Sequence, residues 1–277
     1  MKIPVNESFI TVGGHSVAVR YVGDPANQPA YTILALHGFT GSGEDFGPLQ
    51  EALGRRDVHW LCPDFPGHGE SDSPQNIDPY RLLPAIGLID RVRRMARHPN
   101  KVLMLGYSMG GRLALQYLKW AQPLPAVLIG ASPGIEDPAE RARRRLRDSN
   151  LIDPGKTQLD DFCQRWEEQP LILPQTRLPE PLRRELADRR RRNSLTGLAN
   201  SLAGCGAGAL PSLWADLPHL PPVTCLYGEK DRKFAEIARR MQKANATLST
   251  AGIPGAGHAP HLESPGALAV LLNNRLE

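Results

Sequence analysis

The 277-residue chain has no apolar run near the ~20 residues needed to cross a bilayer, so no membrane span is expected. Cysteine is scarce. Cys62, Cys163, Cys205 and Cys225 stand far apart and form no C-x-x-C pair, which argues against a disulfide framework or a zinc site and for buried thiols. Neither the 26 glycines nor the 26 prolines dominate, which excludes a collagen-like chain, and 41% hydrophobic residues exclude a disordered tail. The segment Met1–Glu7 lacks an apolar signal-peptide core, so the expected location is cytoplasmic. Charge of one sign is missing everywhere except in one place. Residues 139–192 hold 14 Lys/Arg against 10 Asp/Glu, and the rest of the chain carries 19 of each. The whole net charge of +4 therefore sits in one central segment. Such a patch attracts nucleic acid, anionic lipid or an anionic small molecule. Aromatics are few there and acidic residues are interleaved, which disfavours nucleic acid.

What is present is an alternation of strands and helices. Residues 9–12 and 16–22 flank Gly13-Gly14 and read as a hairpin. Apolar runs at 31–36, 58–62, 101–105 and 126–129 each end at a Gly or Pro turn. Their uniformly apolar character predicts a parallel sheet covered on both faces, with helices at 78–97 and 110–121 as crossovers. From 134 to 213 the strands stop, and the chain becomes arginine-rich, helical and broken by Pro154, Pro170, Pro174, Pro179 and Pro181. A strand at 223–227, a helix at 233–244, a strand at 247–253 and a helix at 265–276 then resume the pattern. The expected organisation is an α/β core of residues 1–133 and 214–277 with a helical cap inserted at 134–213.

Gly106-Tyr107-Ser108-Met109-Gly110 is a G-x-S-x-G pentapeptide between a strand and a helix. A turn that sharp strains its central residue and lifts the serine Oγ above the sheet at a helix N-terminus. A serine hydroxyl needs a base, and the base needs an orienting carboxylate. Gly228-Glu229-Lys230-Asp231 and Gly255-Ala256-Gly257-His258 follow later strands, placing both partners at the strand ends where open α/β sheets bind ligands. Asp231 is favoured over Glu229, and His258, after its glycine-rich turn, over His261. His37-Gly38-Phe39-Thr40-Gly41 follows the strand at 31–36. It is the expected source of a Phe39 N–H that pairs with that of Met109 as an oxyanion hole, while His37 and His68 are expected to shape their turns.

His37-Gly38-Phe39, Asp64-Phe65-Pro66-Gly67-His68-Gly69-Glu70-Ser71, the Ser108 turn, Gly228–Asp231 and Gly257-His258 together resemble the α/β-hydrolase superfamily over nearly the whole chain. Leu36–Ser42, Gly106–Arg112, Ala131–Ile135 with Glu140-Arg141-Ala142, Trp166-Glu167-Glu168-Gln169-Pro170 and His258–Pro265 are similar to the 2-succinyl-6-hydroxy-2,4-cyclohexadiene-1-carboxylate synthases of menaquinone and phylloquinone biosynthesis. The resemblance implies an α/β-hydrolase fold and a lyase. The enzyme would eliminate pyruvate from 2-succinyl-5-enolpyruvyl-6-hydroxy-3-cyclohexene-1-carboxylate, an anionic tricarboxylate, without metal or organic cofactor. It also implies substrate contacts at Tyr107, Arg112, Arg144, Trp166 and Arg190. The register is loose at Arg144 and Arg190, which stand among Arg141, Arg143, Arg145 and Arg189, Arg191, Arg192. The arginines outnumber three carboxylates, so most are expected to be exposed or paired with local Asp/Glu. A serine carboxylesterase or C–C bond hydrolase on the same scaffold is the alternative, and a monomer or homodimer is expected.

Overall fold

A computed structural model describes residues 4–24, 26 and 28–276; Met1–Ile3, at the head of the segment read for a signal peptide, and Glu277 lie outside the described residues. Eight strands form one sheet: β1 (Val5–Val12), β2 (His15–Val22), β3 (Tyr31–Leu36), β4 (Val58–Pro63), β5 (Val102–Tyr107), β6 (Ala126–Ile129), β7 (Val223–Gly228) and β8 (Ser249–Ile253). Their order is β1-β2-β4-β3-β5-β6-β7-β8. β1 and β2 form an antiparallel hairpin, β2 is antiparallel to β4, and every pair from β4 to β8 is parallel. This is an α/β-hydrolase fold.

The apolar runs behave as two-faced strands must. Side chains alternate across a strand, so Leu34 and Leu36 of β3 join Met104 in one cluster while Ile33 and Ala35 join Leu103 and Leu105 in the other. Helices α2 (Leu82–Arg93), α3 (Met109–Trp120) and α8 (Arg232–Ala244) cover the first face. Helices α1 (Gly47–Leu53), α9 (Pro260–Glu263) and α10 (Pro265–Asn273) cover the second. Between β6 and β7 run α4 (Pro138–Leu151), α5 (Leu159–Glu167), α6 (Glu180–Arg191) and α7 (Leu195–Cys205). They enclose a small apolar cluster of Ile152, Phe162, Cys163, Leu198 and Leu202, against which Phe39 of the core packs. All four cysteines are buried and free. No helix among the described residues is long and apolar enough to cross a membrane.

Some boundaries differ from the sequence periodicity. β1 starts at Val5 rather than at Phe9, because it pairs with β2 along its full length, Val5 opposite Val22. Its residues are mostly exposed, so no apolar pattern marked it. The single helix expected over 78–97 is a 3₁₀ turn at Asp78–Tyr80 followed by α2. Arg81 is extended between them, and Pro84 falls in the first turn of α2, where a missing N–H is harmless. β8 begins at Ser249 because the Asn245 side chain accepts the Thr247 N–H and closes a turn first.

Leu34 sits fully buried on a central strand with packed neighbours that cannot close the gap. Leu34→Ala should lower unfolding stability by about 2–5 kcal/mol, read from the urea midpoint at unchanged m-value.

Candidate active site

The turn from β5 into α3 is built by three glycines. A Cβ on Gly106 would stand 2.7 Å from Gly111 Cα, one on Gly110 2.1 Å from the Leu36 carbonyl oxygen, and one on Gly111 2.6 Å from Ala131 Cβ. Only glycine lets the start of α3 drop this close to the turn after β3, and Gly110 N–H donates to the His37 carbonyl at 3.0 Å. Ser108 is left at φ 49°, ψ −103°, a left-handed conformation costly for a residue with a Cβ. Its N–H is tied to the Ile129 carbonyl at 2.9 Å, so the strained turn is fixed to β6 as well.

Asp231 caps the N-terminus of α8 through Oδ1, which accepts the Phe234 N–H at 3.1 Å. Its Oδ2 lies 2.7 Å from His258 Nδ1, and His258 Nε2 lies 3.1 Å from Ser108 Oγ. A carboxylate can only accept, so Nδ1 carries the proton and Nε2 is left to take the serine hydrogen. Asp231 is 7% and His258 4% exposed, which shields the chain of contacts from water. Of the alternatives, Glu229 points to solvent. His261 is fully buried, stacks 4.3 Å from the Tyr107 ring, and has no hydrogen-bond partner on either nitrogen. Burial pushes its pKa down to about 3 and keeps it neutral. Glu263, which the sequence reading passed over, holds the histidine loop. Its two oxygens accept the N–H groups of Gly257 at 2.6 Å and Ala259 at 2.9 Å, one on each side of His258.

Across Ser108 lies the turn after β3. Phe65 N–H donates to His37 Nε2 at 3.0 Å, so His37 Nδ1 donates to the Gly38 carbonyl at 2.8 Å. Burial lowers the His37 pKa to about 4, and the neutral ring acts as a brace between two loops. Met109 is the first residue of α3, where a helix leaves its N–H groups without intrahelical partners. The Gly110 N–H on the His37 carbonyl thus joins the turn that carries Phe39 to the first turn of α3, beside Ser108 and Met109.

Arg112, one turn along α3, donates its backbone N–H to the Ser108 carbonyl at 3.0 Å. Its Nε is buried without a hydrogen-bond partner, and among the described residues it forms no ion pair. Burial, and then the neighbouring Arg144 guanidinium, push its pKa down to about 10, against a pull from Asp148. The other two arginines expected at the site are already matched. Arg144 Nε pairs with Asp148 Oδ1 at 2.8 Å. Arg190, 9% exposed, pairs with Glu167 at 2.9 Å and donates to the Gln175 amide oxygen. Of the surrounding run, Arg189 pairs with Glu44, Asp45 and Glu185, Arg191 with Asp160, and Arg192 with Glu44 and Glu70.

Trp166 packs edge-on to Phe39 with ring centres 5.2 Å apart, and its indole N–H is buried without a partner. Tyr107 lies between His258 and His261, and burial raises its phenol pKa far above 10. Gly38, Phe39, Tyr107, Trp166 and Arg190 line one narrow space of about 20 Å³. Gln175 and Arg190 also line a cleft of about 340 Å³ that passes Arg183 and Arg184. No group of His, Cys, Asp and Glu among the described residues is arranged to hold a metal ion.

Residues 33–271 match the Alpha/beta hydrolase family. A Bacillus subtilis (strain 168) protein, provisionally named 2-succinyl-6-hydroxy-2,4-cyclohexadiene-1-carboxylate synthase, is 37% identical over 256 residues, 90% of this chain and 92% of its own. A Photorhabdus laumondii protein named as the same synthase is 31% identical over 88% of this chain and 84% of its own. Among solved structures, MenH from S. aureus superposes with a TM-score of 0.85 at 27% identity, covering 93% of this chain and 97% of that one.

The loop after β4 supplies a pH test of this architecture. Asp64 accepts the N–H groups of Gly43 at 2.7 Å and Glu70 at 2.9 Å, and burial pushes its pKa from 3.8 up to about 7. A raised carboxyl binds its proton more tightly folded than unfolded, so this group's contribution is largest below pH 3.8 and is lost as pH rises through 7. Asp64 therefore makes stability fall between about pH 4 and 7, by a total on the order of 4 kcal/mol. Urea midpoints measured across that window should fall less steeply in Asp64→Asn than in the wild type; parallel slopes would refute the assignment.

Proposed function

The chain belongs to the alpha/beta hydrolase family and, within it, to the 2-succinyl-6-hydroxy-2,4-cyclohexadiene-1-carboxylate synthases, and on that premise we propose that it eliminates pyruvate from 2-succinyl-5-enolpyruvyl-6-hydroxy-3-cyclohexene-1-carboxylate. The observation that carries this reading is Arg112, a half-buried arginine with its Nε buried unpaired and no ion-pair partner among the described residues, one helical turn from a serine primed by histidine. Burying a cation unpaired is costly, and the cost is recovered when an anion arrives. An esterase pocket for neutral acyl chains would gain nothing from it.

The substrate carries three carboxylates and an acidic C–H beside the succinyl ketone. His258, oriented by Asp231, accepts the Ser108 hydroxyl proton while the serine oxygen takes the proton from that carbon. The released electron pair moves into the ketone, whose oxygen becomes negative and is met by the N–H groups of Phe39 and Met109. It then returns through the ring double bond, the C–O bond to the enolpyruvyl group breaks, and the proton held on His258 goes to the leaving group as pyruvate forms. The serine oxygen acts as a base throughout, so no acyl-enzyme forms.

Arg112 binds one substrate carboxylate in a partly buried site, where a charge-assisted pair is stronger than in open water. Tyr107 and Trp166 wall the ring, and Arg190 presents a guanidinium whose present partner, Glu167, is a carboxylate that a substrate carboxylate can replace. Arg144 acts beside Arg112 as a second positive charge held in place by Asp148. The cap helices cover this space and keep water from the reactive diene.

Adding pure protein to freshly prepared substrate should release pyruvate at one equivalent per diene formed. No pyruvate release together with fast hydrolysis of p-nitrophenyl esters would overturn the reading. Ser108→Ala should lower kcat by roughly 10³-fold or more with substrate Kd changed only a few-fold in a binding titration. Arg112→Gln should raise KM by roughly 10- to 100-fold, the loss expected for one charge-assisted pair.

A further inference from the structure

We propose that Asn193 is a positioning residue of the reaction: from the end of cap helix α6 its side-chain amide fixes the backbone turn that presents the Phe39 N–H, so that the electrostatics of the site depend on how the cap is seated. The inference rests on the reading of Phe39 as an oxyanion donor given above.

Gly41 N–H donates to the Gly38 carbonyl at 3.1 Å, closing a four-residue turn with Phe39 and Thr40 at its centre. Thr40 has φ 68° and Phe39 does not lie in the positive region, the pattern of a type II turn, whose third position calls for glycine or asparagine. A β-branched threonine is among the least suited residues for it. Something must hold it. Asn193 Nδ2 donates to the Thr40 carbonyl at 2.9 Å, while Asn193 Oδ1 accepts the Gly69 N–H at 3.0 Å. Gly69 is itself left-handed, with φ 53°, in the loop after β4. One amide, 5% exposed, therefore uses both its donor and its acceptor to pin two loops at once, one of them strained at Thr40.

The pin belongs to the cap. Asn193 follows Arg192, whose guanidinium pairs with Glu44 and Glu70, and Arg189, which pairs with Glu44 and Asp45. These ion pairs set the end of α6 on the core but do not reach the turn itself. If Asn193 lets go, the peptide between Phe39 and Thr40 is free to rotate towards the ordinary type I geometry. The Phe39 backbone then shifts, together with a ring packed on Trp166 and His68. An oxyanion donor that moves loses stabilisation of the transition state more than of bound substrate.

Asn193→Asp keeps the acceptor for Gly69 N–H and replaces the donor to Thr40 with a repelling oxygen. Asn193→Asp should lower kcat roughly 10-fold, a fraction of the loss from deleting an oxyanion donor, with KM within about 3-fold of wild type. Amide hydrogen exchange at residues 39–41 should be faster in this variant. Arg192→Ala removes a cap-to-core ion pair without touching the turn; it should leave kcat and that exchange unchanged, even where Tm falls. A purely structural role for Asn193 would lower Tm and leave kcat per folded molecule intact. A kcat for Asn193→Asp within twofold of wild type, or unaltered exchange at 39–41, overturns the proposal. Should the wild type release no pyruvate, the parent reading falls, and the exchange comparison alone decides this one.

Discussion

Backbones touching at the carboxyl ends of the parallel strands are the constraint from which the site follows. The start of α3 rests on the Leu36 and His37 carbonyls through Gly110, and β7 meets the loop before His258 where a Cβ on Gly228 would stand 1.9 Å from the Gly257 carbonyl oxygen. Gly130, at the end of β6, leaves room for the His258 ring, 2.8 Å from where its Cβ would be. Glycine loses more chain entropy on folding than other residues, and Ser108 and Thr40 add strained dihedrals. A sheet buried on both faces supplies the stability against which these are held. In return, residues 37, 108, 231 and 258, far apart in the chain, converge within hydrogen-bonding reach of one another or of one shared turn.

Charge is arranged with similar economy. Residues 139–192 hold an excess of four positive charges, yet six of their thirteen arginines, Arg144, Arg184, Arg189, Arg190, Arg191 and Arg192, face carboxylates in ion pairs, and those at the surface contribute little. They fasten α6 to the core and to α5. Arg112 lies on the core instead, outside the basic segment, and its electrostatics differ in kind. It is half-buried, it lies near the like charge of Arg144, and its buried Nε has no acceptor. In a medium of low effective dielectric, one such cation outweighs many screened ones.

The sequence shows most of the scaffold because its signals are local. Apolar runs of strand length, helical periodicity and the Gly-x-Ser-x-Gly turn are written within a few residues of one another, and β3 to β7 fall within a residue or two of where those runs place them. β1 escaped at its start because an exposed edge strand has no apolar stripe. The order of serine, acid and histidine was legible because each follows a strand end. What separates Asp231 from Glu229, or His258 from His261, is which one faces Ser108, and that is settled only by the packing of α8 and α9. The arginines show the limit best. Arg112, Arg144 and Arg190 look alike in sequence, but the partners that distinguish them, Asp148, Glu167 and Gln175, are chosen by how the cap helices meet. Asn193 carried no signal at all, since an asparagine after four arginines reads as a helix end.

That difference among the arginines bears on how affinity would be distributed over a tricarboxylate. At Arg190 an incoming carboxylate would exchange with Glu167, so one ion pair would replace another with a small net gain. At Arg112 no carboxylate would leave, and a new charge-assisted pair would form at a half-buried group whose partial desolvation was met when the protein folded. On the proposed function, binding free energy would thus be concentrated next to Ser108 rather than out along the cleft past Arg183 and Arg184. Concentrating it there would orient the acidic C–H against the serine oxygen, because a ligand anchored one helical turn from the base has little freedom to swing away. A substrate held mainly by the outer cleft would be bound as tightly and react more slowly.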